Sequence, residues 1–297
     1  MIIVELLCVS QRDVTVTDDQ IEQFHEQGYL VIENAFDDEE VTRMQQEADY
    51  ILELIINSSL ANDRKSGRLD LVEEEDGSQQ IRKIQPINDL SRYLSEVSDD
   101  DRLLNPMRRI MNDEPILMEE KLNYKEPLPE PIESLEGDRP TSGFPVHNDW
   151  AYYRVNGYPQ NIVSSAIAID DCTPENGPLE IWPGSHEEHI EHQNGPDGYE
   201  VPPDDIDYDA SEKILAPAGS VMFFHSLLVH SSSDNESDEP RRLMIYSHYP
   251  EDEGEKTGIS LDERNGPVRL SESPWEEEYH RLKERGDFED QVTAPSF

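Results

Sequence analysis

Five short apolar runs, separated by turn signals, recur over residues 144 to 249 and restrict the possible fold more than any other feature. The runs are FPVHNDWAYY, NIVSSAIAID, PLEIWPGSH, SVMFFHSLLVH and RRLMIYSHY, with turn-forming pairs such as Asn176 and Gly177 between them. Short strands at this regular spacing are typical of an all-β sandwich or barrel. An earlier run, PILMEEKLNYK, predicts one more strand, and the Pro- and Gly-rich segment after it predicts a loop.

The residues before this β-rich half predict helices. Thr17 followed by Gln20 is the pattern of a capping box, so a helix is expected to begin at Asp18. Gly28 is the expected end of this helix, because glycine adopts the left-handed conformation that often terminates helices. The run YLVIENAF then predicts a strand.

A second helix is predicted after Asp37, which is a plausible N-cap, and its apolar face extends to about Leu54. Residues 57–82 are polar, with EEEDGS inside them, and predict a loop. Residues 90–111 predict two short helices.

These elements suggest one main domain with two flanking segments. We expect an N-terminal extension over residues 1–13, a domain over residues 14–250 and an acidic C-terminal segment over residues 251–297. Within the domain, residues 17–112 form the predicted helical part and residues 115–250 the predicted β core. WEEEYHRLKERG in the C-terminal segment predicts a last helix.

The charge balance is extreme, with 67 acidic and 24 basic residues and a formal net charge of −43. Such a charge repels nucleic acid and anionic membranes, so neither is an expected partner. Apolar runs such as IVSSAIAI require burial, which argues against disorder. Abundant carboxylates with only seven lysines predict a salt-loving source, a halophilic archaeon, where screening over about 3 Å at 1 M salt weakens self-repulsion.

The two cysteines, Cys8 and Cys172, provide no disulfide framework. No apolar stretch reaches the roughly 18 residues of a membrane-spanning helix. The start MIIVELLCVSQRD has no basic n-region and no small-residue cleavage site, so it is a poor signal peptide, and whether it is a true start stays open. These features predict a cytoplasmic protein.

Two His residues and one carboxylate are candidates for a metal site. On a regular strand, His147 and Asp149 point to the same face, because side chains alternate with a period of two. His230 ends another apolar run. Two His and one carboxylate form the facial triad of non-heme Fe(II) oxygenases, which leaves positions open for a keto acid and dioxygen.

A cation is needed for the far carboxylate of such a keto acid. Arg241 and Arg242 are predicted to open the strand after His230, and the planar guanidinium matches a carboxylate with two hydrogen bonds. Neighbours on a strand face opposite sides, so the sequence leaves open which arginine serves. His225 is expected to face away from His230, and His186, in a turn, is expected to serve hydrogen bonding.

The sequence resembles the phytanoyl-CoA dioxygenase family of Fe(II)- and 2-oxoglutarate-dependent oxygenases over roughly residues 17 to 250. The matching segments are TDDQIEQFHEQGYLVIENAFDDEEV, VHNDW, IDDCTPENGPLEIWPGSH and VHSSSDNESDEPRR. The resemblance implies a mainly β fold, with a double-stranded β-helix (jelly-roll) core flanked by helices. It implies that His147, Asp149 and His230 bind iron. It also implies that Arg241 binds 2-oxoglutarate, with Arg242 as the alternative and Lys125 as a further contact.

The resemblance implies a hydroxylase of an unactivated C–H bond in a small molecule, which uses Fe(II), 2-oxoglutarate and dioxygen. Asp149 disfavours a halogenase, because halogenating relatives lack this carboxylate. The residues characteristic of ectoine hydroxylases around the His-x-Asp motif are not found, which disfavours ectoine. The few basic residues disfavour a CoA thioester, so a free small metabolite is favoured.

Two other classes of protein remain compatible with the sequence. One is a cupin-like metal enzyme with the same triad that does not use 2-oxoglutarate. The other is a non-catalytic binding protein of the same fold that acts through its acidic surface. The oligomeric state is not predicted.

Overall fold

The computed structural model describes residues 16–258, so the predictions for residues 1–13 and for WEEEYHRLKERG lie outside the described residues. The helices are α1 (Asp18–Gln27), α2 (Asp38–Ala61), α3 (Arg92–Val97), α4 (Asp101–Met111), α5 (Trp150–Tyr153) and α6 (Glu251–Thr257). The strands are β1 (Tyr29–Ile32), β2 (Leu69–Glu73), β3 (Gln79–Ile84), β4 (Pro115–Pro127), β5 (Phe144–His147), β6 (Val163–Ala168), β7 (Leu179–Ile181), β8 (Gln193–Gly195), β9 (Gly198–Glu200), β10 (Glu212–Lys213), β11 (Val221–His225), β12 (His230–Ser232) and β13 (Leu243–Pro250).

Two antiparallel sheets form the core. The larger has the strand order β1-β11-β6-β13-β4-β3-β2, and the smaller has the order β10-β7-β12-β5. A cavity lined by residues of both sheets lies between them. Two facing antiparallel sheets of this kind are a jelly roll, which confirms the predicted mainly β fold with flanking helices.

The first helices begin where the sequence predicts. Thr17 and Asp37 both cap their helices through a complete capping box. Gly28 ends α1 with φ +83°, and a Cβ added there would lie only 2.5 Å from His186 Nδ1, so both backbone conformation and space favour glycine. Helix α2 runs past the expected Leu54 to Ala61, because its buried face continues through the last two turns.

The prediction of a loop over residues 57–82 is wrong. Strands β2 and β3 form a hairpin there and extend the larger sheet through β4. Leu71 and Ile81 are fully buried, but charged neighbours hide their alternation in the sequence. Residues 17–112 therefore contribute strands as well as helices to the fold.

Two runs that predicted single strands are broken in the structure. FPVHNDWAYY forms strand β5 up to His147 and then turns into α5, with Asp149 in the right-handed helical region at φ −64° and ψ −30°. SVMFFHSLLVH forms β11 and then crosses to the other sheet, where β12 begins at His230. The prediction that Asp149 follows His147 on one strand is therefore wrong, and Arg241 and Arg242 precede β13 rather than open it.

No helix among residues 16–258 is both long and apolar enough to span a membrane.

Candidate metal and co-substrate site

His147 and His230 lie directly opposite each other on the paired strands β5 and β12. Their ring centroids are 4.4 Å apart. Asp149 Oδ1 lies 3.7 Å from His147 Nε2 and 3.8 Å from His230 Nε2. The three donor atoms lie within 4.8 Å of one another, and all three residues are buried. The structure thus brings together the three residues predicted as metal ligands.

The turn after β5, rather than strand alternation, places Asp149 beside the histidines. The main-chain N–H of Trp150 donates to the carbonyl of Ser226 at 3.0 Å, which ties the start of α5 to the turn that leads to His230. The carboxylate therefore enters the site from the end of the strand.

Both histidines have the orientation that metal binding requires. His147 Nδ1 lies 2.7 Å from the carbonyl oxygen of Pro145, and His230 Nδ1 lies 2.9 Å from that of Leu228. A carbonyl oxygen only accepts hydrogen bonds, so Nδ1 carries the proton in each ring. Nε2 is then left with its lone pair directed at the site, as in metal-binding histidines held by a backbone carbonyl.

The local charges favour the ligand forms of these groups. Burial, and then the proximity of His147, lower the pKa of His230 to about 4. Burial alone would raise the pKa of Asp149, but the charge of Lys121 and the hydrogen bond with His147 hold it well below its usual value. A neutral His230 and an ionised Asp149 are the forms that bind a metal.

His192 holds the backbone between two of these residues. The main-chain N–H of Asn148 donates to His192 Nε2 at 3.0 Å. His192 Nδ1 lies 2.7 Å from the carbonyl oxygen of Ile190, so it carries the proton and leaves Nε2 to accept. Sequence reasoning missed this residue, because it lies 45 positions after His147 in an irregular segment and no spacing rule links the two.

Arg241 lines the same cavity as the triad and is 1% exposed. Its Nε and Nη1 atoms are buried and have no hydrogen-bond partner among residues 16–258. Burial lowers the pKa of Arg241. A buried guanidinium with unsatisfied donors is unfavourable, so a bound carboxylate would stabilise it.

Arg242 is directed elsewhere. Its Nε donates to Asp170 Oδ2 at 2.8 Å, and its Nη1 donates to Asp49 Oδ1 at 2.5 Å. Its charge is thus already matched by two carboxylates. The geometry favours Arg241 over Arg242 as the arginine that faces the cavity, a choice that the sequence left open.

Lys125 is buried but is absent from the side chains that line the cavity. Its Nζ contacts the carbonyl oxygens of Ser233 and, at 3.3 Å, Gly177. Burial, and then the charge of Arg241, lower the pKa of Lys125 to about 5, so the amine is largely neutral near pH 7. Its role as a co-substrate contact stays a prediction without support from this geometry.

The polar residues of the cavity wall that sequence reasoning missed include Lys83, Lys121 and Asn123. Lys121 and Asn123 alternate along β4 and thus share a face, and Lys83 pairs with Asn123 in register. Lys121 donates to Glu119 at 2.7 Å. No ion pair of Lys83 is found among residues 16–258. The alternation in KLNYK was a usable signal for the pair on β4.

The donor set fits Fe(II) with a keto-acid co-substrate. Two imidazole nitrogens and one carboxylate oxygen converge from one side, as in a facial triad, and leave the rest of the cavity for other ligands. The unsatisfied guanidinium of Arg241 lies in the wall of the same cavity.

Comparisons with known proteins agree with this geometry. The family model of phytanoyl-CoA dioxygenase (PhyH) matches residues 24–243, which is most of the chain. The chain belongs to this family.

Among curated relatives, an ectoine dioxygenase of Halomonas elongata is 27% identical over 80% of this chain and 70% of its own length. An L-proline trans-4-hydroxylase of Streptomyces griseoviridis is 25% identical over 74% of this chain and 82% of its own. These relatives are bacterial, so the archaeal source stays a prediction.

The crystal structure of EctD from S. alaskensis with 2-oxoglutarate and 5-hydroxyectoine aligns with a TM-score of 0.61. It is 23% identical and covers 89% of this chain and 84% of its own. At this identity the likeness confirms the jelly-roll fold. The family, its relatives and the His–Asp–His triad together confirm an Fe(II)- and 2-oxoglutarate-dependent oxygenase.

Proposed function

We propose that His147, Asp149 and His230 bind Fe(II), that Arg241 binds the far carboxylate of 2-oxoglutarate, and that the enzyme hydroxylates a C–H bond of a small molecule. When bound, Fe(II) and 2-oxoglutarate activate dioxygen, and the co-substrate becomes succinate and CO2 while the substrate gains a hydroxyl group. The domain that carries this activity is proposed to span residues 14–250. A cytoplasmic location stays a prediction.

The observation that carries this proposal is the combination of the triad with Arg241 in one cavity. A dicarboxylate bound to the metal at one end needs a cation at the other, and the buried Nε and Nη1 donors of Arg241 have no partner in the part of the chain that the structure describes. Arginine also matches the carboxylate in shape, because its planar fork donates two parallel hydrogen bonds.

Lys83 supplies a second positive charge on the cavity wall. Burial, and then the charge of Lys121, lower the pKa of Lys83, so the ammonium is poorly stabilised by its surroundings. Lys121 is already paired with Glu119, whereas Lys83 has no ion pair within the described part of the chain. A dianion such as 2-oxoglutarate would match both Arg241 and Lys83.

The site also fixes the orientation of its histidines and limits the access of water. The Nδ1 bonds to the carbonyls of Pro145 and Leu228 fix the ring planes of the two histidines. The apolar side chains of Phe224, Leu243 and Ile245 line the cavity beside the polar groups and limit the access of water. The carboxylate of Asp149 would take a coordination position on the bound iron, which favours hydroxylation over halogenation.

The test is anaerobic reconstitution with Fe(II) and 2-oxoglutarate in molar KCl, followed by visible absorption and by equilibrium binding of each component. We expect a weak charge-transfer band that requires both components. Arg241→Met should lose the band and 2-oxoglutarate binding but keep Fe(II), whereas Arg108→Met, at a surface ion pair with Glu114, should behave as the wild type.

The two alternative classes give different results in the same experiment. Iron that binds while 2-oxoglutarate does not would indicate a cupin-like metal enzyme with other chemistry. A protein that binds no stoichiometric Fe(II) would indicate a non-catalytic binding protein, and either result would contradict the proposal.

A further inference from the structure

A polar chamber adjoins the iron cavity. It is lined by residues of the β2–β3 hairpin and of the loop before β5: Gly67, Arg68, Leu69, Asp70, Lys83, Gln85, Asp138 and Arg139. Lys83 lines both this chamber and the iron cavity, so the two spaces share a wall. A molecule held in the chamber would therefore lie next to the iron cavity.

Strand register forms a polar path between the two spaces. Asp70 on β2 pairs with Lys83 on β3, and Lys83 pairs with Asn123 on β4. Paired residues of neighbouring strands point to the same face of a sheet. The row that begins at Asp70 in the chamber thus reaches Asn123 in the wall of the iron cavity.

Two opposite charges in the chamber are incompletely paired. Asp70 Oδ1 is buried and makes no hydrogen bond within residues 16–258, and Arg139 Nε lies 4.0 Å from it. The other oxygen of this carboxylate, Oδ2, accepts from Arg82 Nη1 at 3.4 Å. Arg139 Nη1 lies 3.6 Å from Asp197 Oδ1, which also lacks a hydrogen bond. These distances exceed the roughly 2.7–2.9 Å of charge-assisted hydrogen bonds.

Another ion pair of the chamber shows the contrast. Arg68 donates to both carboxylate oxygens of Asp89 at 2.7 and 2.8 Å. Arg68 and Asp89 thus form a close bidentate pair, unlike Asp70 and Arg139. Asp70 and Arg139, which both line the chamber, instead keep hydrogen-bonding capacity at Asp70 Oδ1 and at the Arg139 guanidinium.

We infer that this chamber binds the substrate, and that the substrate is a small zwitterion with its cationic nitrogen on Asp70 and its anionic group on Arg139. The inference rests on the proposed function and names its substrate class. A long acyl chain does not fit, because all but two of the lining residues are charged or polar. An anion alone would leave Asp70 Oδ1 without a hydrogen bond, and a cation alone would leave Arg139 with only its loose contacts at 3.6 and 4.0 Å.

The experiment titrates four compounds into the anaerobic complex of the enzyme with Fe(II) and 2-oxoglutarate and follows changes in its visible band. Ectoine and L-proline carry both charges, methylphosphonate carries only negative charge, and L-prolinamide carries only positive charge. The band reports binding beside the metal and requires no turnover.

We expect at least one zwitterion to perturb the wild-type band at lower concentration than either singly charged compound. Asp70→Asn should weaken zwitterion binding about tenfold or more and leave methylphosphonate unchanged, because only the cation site is lost. Arg139→Gln should weaken the zwitterion and methylphosphonate together. Asp76→Asn, an equal charge change in the turn of the same hairpin, should bind as the wild type.

The outcomes separate this inference from the proposed function. A wild-type band that no zwitterion perturbs would overturn the substrate class and leave the proposed function intact, and unchanged binding in both variants would do the same. If either variant weakens 2-oxoglutarate instead, its residue belongs to the co-substrate site and the inference is wrong. Absence of the band in the wild type would overturn the proposed function, and the inference falls with it.

Discussion

His147 and His230 are cross-strand partners in the smaller sheet, with ring centroids 4.4 Å apart. Directly opposed residues on one face of an antiparallel pair are the closest side-chain neighbours that a sheet offers. The sheet itself therefore sets the distance between these two rings. A third group, Asp149, reaches the site from a turn, where its position depends on the contacts that hold that turn.

Replacing His230 with Ala should remove most of the Fe(II) affinity. The expected loss is about 100-fold or more, since replacing even a residue that only orients a metal ligand typically lowers metal affinity by about 10–100-fold. An anaerobic titration against a chelator of known affinity measures it. His225→Ala is the control, because this half-buried histidine precedes the turn to β12, packs against His186 and lies outside the triad. Equal losses in both variants would contradict a specific ligand role for His230.

Replacing His192 with Ala should weaken iron binding without touching a ligand. The main-chain N–H of Asn148 would lose its acceptor, and the turn that presents Asp149 would lose its support. We expect Fe(II) affinity to fall about tenfold, with 2-oxoglutarate affinity to the metal-loaded enzyme nearly unchanged.

A conservative variant distinguishes positioning from simple packing. Gln at position 192 offers a side-chain oxygen that can accept the Asn148 N–H, so His192→Gln should recover part of the lost iron affinity, whereas His192→Leu should not. Thermal unfolding of the metal-free variants is the parallel measurement. Iron affinities that merely follow the unfolding temperatures would show that His192 is a packing residue.

The sequence predicted the chemistry of the site better than its geometry. His147, Asp149 and His230 are distinctive residue types within or at the end of apolar runs, and the runs predicted a β core. The reason given for Asp149 was nevertheless wrong. Side chains alternate between the two faces only as long as the strand continues, and β5 ends at His147. The choice between Arg241 and Arg242 required the local backbone, which directs one to the cavity and the other to Asp170.

Other parts of the site were hidden for a related reason. Lys83 directly follows the polar stretch of residues 57–82 that predicted a loop, and inward-facing polar residues of a cavity erase the apolar alternation that marks a strand. His192 contacts Asn148 across 44 positions, and only the folded chain brings the two together. Polar residues that line a cavity are therefore easily assigned to loops when strands are predicted from apolar alternation.

Acid should destabilise the metal-free protein partly through His248. Burial lowers the pKa of His248 to about 3, below the roughly 6.5 of an unfolded histidine. Between these values the unfolded chain binds a proton that the folded chain does not, so the free energy of unfolding falls as pH falls from about 6.5 to 3. One such group contributes a slope of up to about 1.4 kcal/mol per pH unit.

The variant His248→Gln isolates this contribution, because it removes one proton-binding group and leaves the carboxylates in place. Urea unfolding at several pH values between 4 and 7 gives the slope for each protein. We expect a shallower slope in the variant than in the wild type. Parallel curves would show that His248 titrates alike in the folded and unfolded chains.

Salt should stabilise the folded protein strongly, because its net charge of −43 opposes compaction. Raising KCl from 0.1 to 1 M shortens the screening length from about 10 to 3 Å, which weakens repulsion among surface carboxylates. The buried pair of Arg242 with Asp170, at 2.8 Å, is screened far less and keeps its contribution. Thermal unfolding followed by circular dichroism should therefore show a midpoint that rises steeply with KCl and to the same extent with NaCl. A midpoint insensitive to salt would mean that local ion pairs already offset the repulsion, and that the acidic composition serves solubility rather than stability.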